Sequence, residues 1–452
     1  MGSEPEDTEA DHPGAQEPGA QEPGPDGRGT VNRYSPLRFV LAFGVVSMLA
    51  DFVYEGGRSI VGPYLATLGA SATVVGAVTG VGEAVASVLR LASGPLADRT
   101  RRYWPISIAG YAITAVSVPV LAAAGTLWQA SLAVVGERFG KAVRTPARDT
   151  MLSQASAHLG RGRAFAYHEA LDQSGALLGP LLVAGMVAVS GFRLGFAVLA
   201  VPAALALVAL VVVRRAVPTP AAYEPANRAS GASGASGASG AMSTPSGLTD
   251  AAGRTGWRQT FRGFSRRFWL YTAFSAATVT GFATFGVLSY HLEVRHVVAP
   301  ALIPIVYAVA MGVDALAALG SGLLYDRIGF GGLLLLPLLT AAVPFLSFST
   351  RAALVWVGAA VWGGALGVHE STMRAAVADL VPSSRRGTGY GLFTAVYGIT
   401  WFGGATAIGA LYARSATSIE LFVGALQACA IVLLVPLLRA QRQSPAARKA
   451  RA

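Results

Sequence analysis

A single cysteine, Cys429, rules out any disulfide within the 452-residue chain and any cysteine-based metal cluster. Charge is sparse as well: 13% of residues are charged against 53% hydrophobic, a balance too apolar for an ordinary soluble enzyme. Lysine occurs only at Lys141 and Lys449, beside abundant Arg, Ala and Gly, a usage that fits a GC-rich bacterial genome. The 6 histidines are scattered without HExxH-type pairing, and there is no GxxxxGK[ST] loop, so neither a zinc hydrolase nor direct ATP drive is supported. The formal net charge of +11 comes from short basic clusters between apolar runs, not from a basic domain interleaved with aromatics, so nucleic acid is not expected as a partner. No cofactor, no metal and no catalytic activity are expected.

What is present is run after run of apolar residues, each near the roughly 20 needed to cross a bilayer. Trp104 to Thr126, Leu194 to Val213 and Gly331 to Ser349 carry no charge at all. The predicted fold class is an all-α membrane protein of about twelve transmembrane helices. The first six spans cover 37–66, 71–97, 104–126, 128–157, 161–190 and 194–214. The second six cover 267–293, 299–325, 330–349, 352–379, 385–413 and 418–438. Residues 1–35, acidic and Pro/Gly-rich with the tandem GAQEPGAQEP, read as a disordered tail and not as a signal peptide. The stretch 215–265, with ASGASGASGASG, reads as a flexible linker between bundles at 36–214 and 266–439, and 440–452 as a basic tail. Arginines crowd one set of loops (Arg99, Arg101, Arg102; Arg161, Arg163; the linker; Arg385, Arg386; Arg439, Arg442), while the alternate loops hold one or none. The positive-inside rule then puts both termini and the linker in the cytoplasm of a cell whose plasma membrane the chain crosses.

Spans three, six, nine and twelve carry no charge well inside their lengths, whereas one, two, four, five, eight and ten do. A charge at the bilayer centre costs at least ~2.5 to 3.5 kcal/mol, so those spans must face a wet or protein-lined interior, with every third helix peripheral. The halves echo one another. RGRAFAYHEA in span five aligns with RRGTGYGLFTA in span eleven, and GPLADR after span two with GLLYDR after span eight. Such repeats imply two six-helix bundles around a central cavity.

Span one places Asp51, Glu55 and Arg58 on one helical face, and span two adds Glu83 and Arg90, seven apart. Span four carries the stripe Glu137, Lys141, Arg144 and Arg148; span five carries His168, Glu169 and Asp172. Carboxylates in a partly desolvated site suit proton loading near neutral pH, with Asp51 the deepest of span one and Glu169 and Asp172 read as uncompensated. A static ion pair between Glu55 and Arg58 is the competing reading. The second half is quieter, with Asp314, His369, Glu370 and Arg374. Tyr290, Trp362, Tyr390, Tyr397 and Trp401 are candidates for a substrate wall or for packing. The expected division gives protons to the first half and an apolar surface to the second.

GPLADRTRR, Gly94 to Arg102, is similar to the loop motif between helices two and three of the major facilitator superfamily, without the usual glycine between Arg99 and the basic pair. The resemblance covers about 36 to 439. It implies that Asp98 faces Ser384 to Gly387 at the start of helix eleven, that Asp326 and Arg327 form the counterpart against helix five, and that Arg99 or Arg102 pairs with Asp149; these contacts would act as a gate. Gly175, Gly179 and Pro180 in GALLGPLLVAG match part of the helix-five motif of the superfamily's proton-driven exporters, with close helix packing the other explanation.

The expected function is secondary active transport of a small molecule by a single chain, as a proton-coupled efflux antiporter working by alternating access. The alternatives are a proton-coupled symporter importing an organic anion or metabolite on Arg58, Arg90 or Arg144, and a membrane-embedded sensor or enzyme on the transporter fold.

Overall fold

The structure is a computed structural model that describes residues 32–156, 161–223, 264–381 and 385–442. Its first six helices are α1 (Pro36–Thr67), α2 (Ala72–Thr100), α3 (Tyr103–Val120), α4 (Leu127–Ala155), α5 (Arg161–Val198) and α6 (Ala200–Ala216). The second set is α7 (Arg266–Thr280), α8 (Phe285–Val294), α9 (Ile303–Ile328), α10 (Leu335–Ser347), α11 (Ala352–Leu380), α12 (Arg386–Tyr412) and α13 (Ala416–Arg442). Among the described residues, 9 stretches are long and apolar enough to cross a membrane. Two of them, Arg163–Ala216 and Pro300–Ser347, each hold a pair of helices, and α4, whose charged stripe dilutes its hydropathy, completes twelve passes.

Local chemistry sets the ends. Ser35 accepts from Arg38 N with Pro36 in the first turn of α1, Ser71 accepts from Val74 N to start α2, and Ser265 accepts from Phe268 N to start α7. Gln129 reaches back to the Gly125 and Thr126 amides at the head of α4. α5 is broken by a tight corner at Ser190 and Gly191, where Gly191 takes φ 76.

Span seven differs from the single helix expected at 267–293. Residues 281–284 are unwound between α7 and α8, and the Trp362 indole N–H donates to the freed Ala283 carbonyl at 2.8 Å. An interrupted helix at membrane depth is tolerated where protein satisfies its backbone. The head of the expected linker is also packed: Trp104 Nε1 donates to Val217 O at 3.1 Å, and the Tyr223 ring lies 5.9 Å from that of Phe39. Residues 1–31, 224–263 and 443–452, which hold most of the two tails and of the linker, lie outside the described residues.

The two halves meet through α1, α2 and α5 of the first and α8, α9 and α12 of the second. Lipid gives no hydrophobic force between helices, so close backbone approach must supply the attraction, and small residues line the seam. A β-carbon on Gly76 of α2 would run into the Ala405 carbonyl of α12, one on Gly409 into the Ala72 carbonyl, and one on Gly62 of α1 into the Gly286 carbonyl of α8. These contacts all lie at the end carrying the arginine-poor loops. Thr79 and Thr284 hydroxyls close the same seam at 3.0 Å.

Candidate functional site

Just inside that seal is a small cavity of about 30 Å³, walled by α1, α2, α3 and α4 and by the start of α8. Its polar lining is Tyr54, Arg58, Thr79, Glu83, Glu137, Arg138 and Thr284; its apolar lining includes Val61, Val118, Leu121, Val134 and Phe285. The unwound stretch before α8 is what lets Thr284 to Gly286 reach the cavity edge.

Arg138 organises the charges. Its Nη1 lies 3.0 Å from Glu83 Oε1, its Nε lies 3.5 Å from Glu137 Oε2, and its guanidinium stacks 4.7 Å from the Tyr54 ring centre. Arg138 sits beside Glu137 and off the expected stripe, so spacing by turns passed over it. Gly82 on α2 makes room for it: a β-carbon there would fall 2.7 Å from Arg138 Cγ. Lys141 Nζ also lies over Tyr54, 3.6 Å from the ring centre. Arg58 is held less firmly, with Nη2 3.5 Å from Glu83 Oε1, Nη1 3.7 Å from Glu55 Oε2 and 3.5 Å from the Tyr54 hydroxyl. The Glu55 carboxylate receives a hydrogen bond from the Tyr307 hydroxyl of α9, so it touches both halves. Tyr307 was not anticipated, since an aromatic in a span ordinarily signals packing.

Deeper, towards the arginine-rich end, Arg144 is 1% exposed, its Nη2 lies 3.1 Å from Asp51 Oδ1, and its guanidinium lies 4.5 Å from the Tyr111 ring centre. Arg148 bridges Asp149 at 2.9 Å and Asp172 at 3.6 Å. Asp172 is therefore compensated, contrary to expectation, because α4 turns Arg148 towards α5. His168 Nε2 bonds Ser47 Oγ at 2.9 Å, and Ser47 Oγ lies 3.1 Å from Tyr111 Oη, tying α5, α1 and α3 together. Glu169 is exposed on α5 and Arg90 half-buried on α2.

Asp314 of α9 is 1% exposed and accepts from Gln173 Nε2 of α5 at 3.4 Å, a second polar tie between halves. Glu370 is exposed on α11. Trp362 and Trp401 are buried in a ring cluster with Phe282, 5.5 Å from each, and with His369; they are packing here and not cavity wall. The Arg374 side chain lies outside the described residues.

In the loop motif Gly94 is buried and Asp98 half-buried, whereas Arg99, Arg102, Asp326 and Arg327 are exposed. The expected partner segment of Asp98 lies largely outside the described residues, as do the Arg161 and Arg386 side chains. Arg101 takes the left-handed φ of 52 at the position where the second half, three residues after Asp326, has Gly329 with φ 58. Of the helix-five residues, Gly175 and Gly179 press against the Met48 and Phe52 carbonyls of α1, a packing role inside the first half. Pro180 is buried beside them.

No group of three or more His, Cys, Asp or Glu with metal-holding geometry occurs among the described residues. Paired charges, a cavity and polar ties between two halves are features a small polar molecule could engage, and comparisons with known proteins show the family to which the chain belongs. The family model described as Major Facilitator Superfamily matches residues 47–405. An uncharacterised protein of Mycobacterium tuberculosis is 48% identical over 402 residues, covering 88% of this chain and 93% of that protein. An uncharacterised MFS-type transporter of Methanocaldococcus jannaschii is 28% identical over 145 residues, covering 32% of this chain and 36% of that protein. The solved nucleoside transporter NupG superposes with a TM-score of 0.67 at 16% identity, covering 90% of this chain and 99% of that one, which speaks for the fold. A bacterial homologue of the human lysosomal transporter Spinster, inward-facing and occupied, superposes at 0.63 and 16% identity over 90% of this chain and 96% of that one. With its family model, its twelve passes and its interior charges in agreement, the chain belongs to the major facilitator superfamily and is a multi-pass secondary transporter of small molecules.

Proposed function

We propose that the transporter couples the movement of an amphiphilic small molecule to protons and works as an efflux antiporter by alternating access. The observation that carries this reading is the Glu55 carboxylate, which lies beside Arg58 in its own half and takes a hydrogen bond from Tyr307 in the other. A carboxylate that gains a proton loses attraction for its cation and changes its bonding to the hydroxyl, so proton loading and closure of the halves become linked equilibria. Asp51 on Arg144 and Asp172 on Arg148 extend the chain of titratable pairs towards the arginine-rich end, with Glu137 beside the cavity. The positive-inside rule supports a cytoplasmic arginine-rich end and cytoplasmic termini, and the seal at the opposite end then corresponds to an inward-facing state. In this reading the Asp98 and Asp326 loops gate the cytoplasmic side, and one chain suffices for transport. Export rests on the partial helix-five motif of Gly175, Gly179 and Pro180.

The test is flux of a compound panel in proteoliposomes under an imposed pH gradient, comparing wild type with Asp51→Asn, Glu55→Gln, Glu137→Gln and Asp172→Asn. Gradient-driven flux that collapses in one or more variants is expected; full flux in all four would remove proton coupling through these residues. A second reading, import of an organic anion with protons, is favoured by the weakly engaged Arg58, and uptake that rises with an inward proton gradient would select it.

A further inference from the structure

The cavity contains two unfinished contacts of opposite sign. Glu137 is 6% exposed, and while its Oε2 faces Arg138, its Oε1 has no hydrogen-bond partner among the described residues. A buried, unfilled carboxylate oxygen calls for a donor. Arg58 is the complementary case. Its nearest acceptors stand at 3.5 Å or beyond, and it shares Glu83 Oε1 with Arg138, which holds that oxygen at 3.0 Å. A guanidinium so weakly engaged can take a carboxylate without breaking a strong pair.

The charge balance narrows the choice. The ionisable lining is Arg58 and Arg138 against Glu83 and Glu137, a neutral set, and Glu55 beside Arg58 and Lys141 over Tyr54 also cancel. A ligand with one charge would leave net charge in a site of low dielectric, whereas a ligand with both ends charged keeps it neutral. Arg58 connects to Glu137 only through Glu83 and Arg138, so the ligand's charges must be several bonds apart. Val61, Val134 and Phe285 offer the stretch between them an apolar wall.

We infer that this cavity, widened as the halves part, binds a zwitterion with an apolar middle, its anionic end on Arg58 and its ammonium or other donor end on Glu137. This assignment rests on the transport reading above for its biological use, but its test does not.

The experiment is equilibrium binding to the purified full-length protein, without a gradient, of ω-aminoalkanoates of increasing chain length, each beside its methyl ester (cation only) and its N-acetyl derivative (anion only). One chain length is expected to bind best, with both singly charged analogues weaker by roughly tenfold or more, as loss of a charge-assisted hydrogen bond implies. In E137Q the gap between parent and N-acetyl derivative closes, and in R58Q the gap between parent and ester closes. The wild-type series alone decides the matter if either variant fails to fold. Equal binding of parent and analogues, or no binding at any length, overturns the zwitterion assignment. Proton-driven flux of some other compound would then leave the transport reading standing, whereas zwitterion binding with no gradient-driven flux would do the reverse.

Discussion

The hydroxyl of Tyr307, on α9, donates to the carboxylate of Glu55, on α1, and so joins the two halves of the transporter at the edge of its central cavity. Together with Gln173 and Asp314 it places polar ties between the halves at membrane depth, while glycine contacts seal the arginine-poor end.

Removing that tie should loosen the seal. Tyr307→Phe costs one hydrogen bond to a charged acceptor, about 1.5 to 3 kcal/mol, and biases the protein towards opening at the arginine-poor end. With Cys429→Ser as background, a cysteine at Thr79 or Thr284 is expected to react faster with a membrane-impermeant thiol reagent in Tyr307→Phe than with Tyr307 intact. Unchanged rates at both positions would mean that the bond does not hold the closed state.

Arg138 should be the least replaceable charge in the cavity. Arg138→Gln leaves Glu83 and Glu137 without their closest cation, a loss on the order of 3 to 5 kcal/mol for a buried pair. Thermal unfolding in detergent is expected to show a large drop for Arg138→Gln and partial recovery in Glu83→Gln/Arg138→Gln, because the second change removes the stranded charge. Strict additivity of the two changes would deny the pairing.

The close helix contacts predict steric trapping. Gly76→Val and Gly409→Val each drive a side chain into a backbone carbonyl of the opposite half, Ala405 or Ala72, which cannot yield as a flexible side chain would. Both variants should insert and fold yet fail to close at the arginine-poor end, measured as lost transport with persistent labelling at Thr79→Cys. Wild-type transport in either would place the halves further apart than the structure has them.

At the end of α2, Arg101 occupies a left-handed backbone position, and its repeat partner Gly329 also takes a positive φ. Arg101→Gly should stabilise the fold by about 1 kcal/mol, and Gly329→Ala should destabilise it, both for backbone reasons and because a β-carbon there meets the Gln441 side chain. Unfolding midpoints of the two variants, moving in opposite directions, are the check.

The missing loop glycine was visible in GPLADRTRR, but its consequence, an arginine at φ 52, required the backbone path. The interior location of Asp51, Glu55, Glu83 and Glu137 was readable because a charged residue in an apolar run has few places to go. Their partners were not. Asp51 finds Arg144 at a separation of 93 residues, and Tyr307 reaches Glu55 across 252. Arg138 was passed over because it departs from the one-face rule; its long stem threads past Gly82 to reach Glu83 on another helix.

The sequence by itself determined how often the chain crosses the membrane, which loops carry the arginines, and that two similar halves enclose ionisable groups. Lipid imposes those properties locally, through run length and the cost of each unshielded charge, so they can be read one segment at a time. Only the tertiary structure decided which acid meets which base, where span seven breaks, and which aromatics pack and which bind charge. Those outcomes depend on the rotation and contact of helices far apart in sequence, set by which small residues let two backbones touch, and no single segment contains that information.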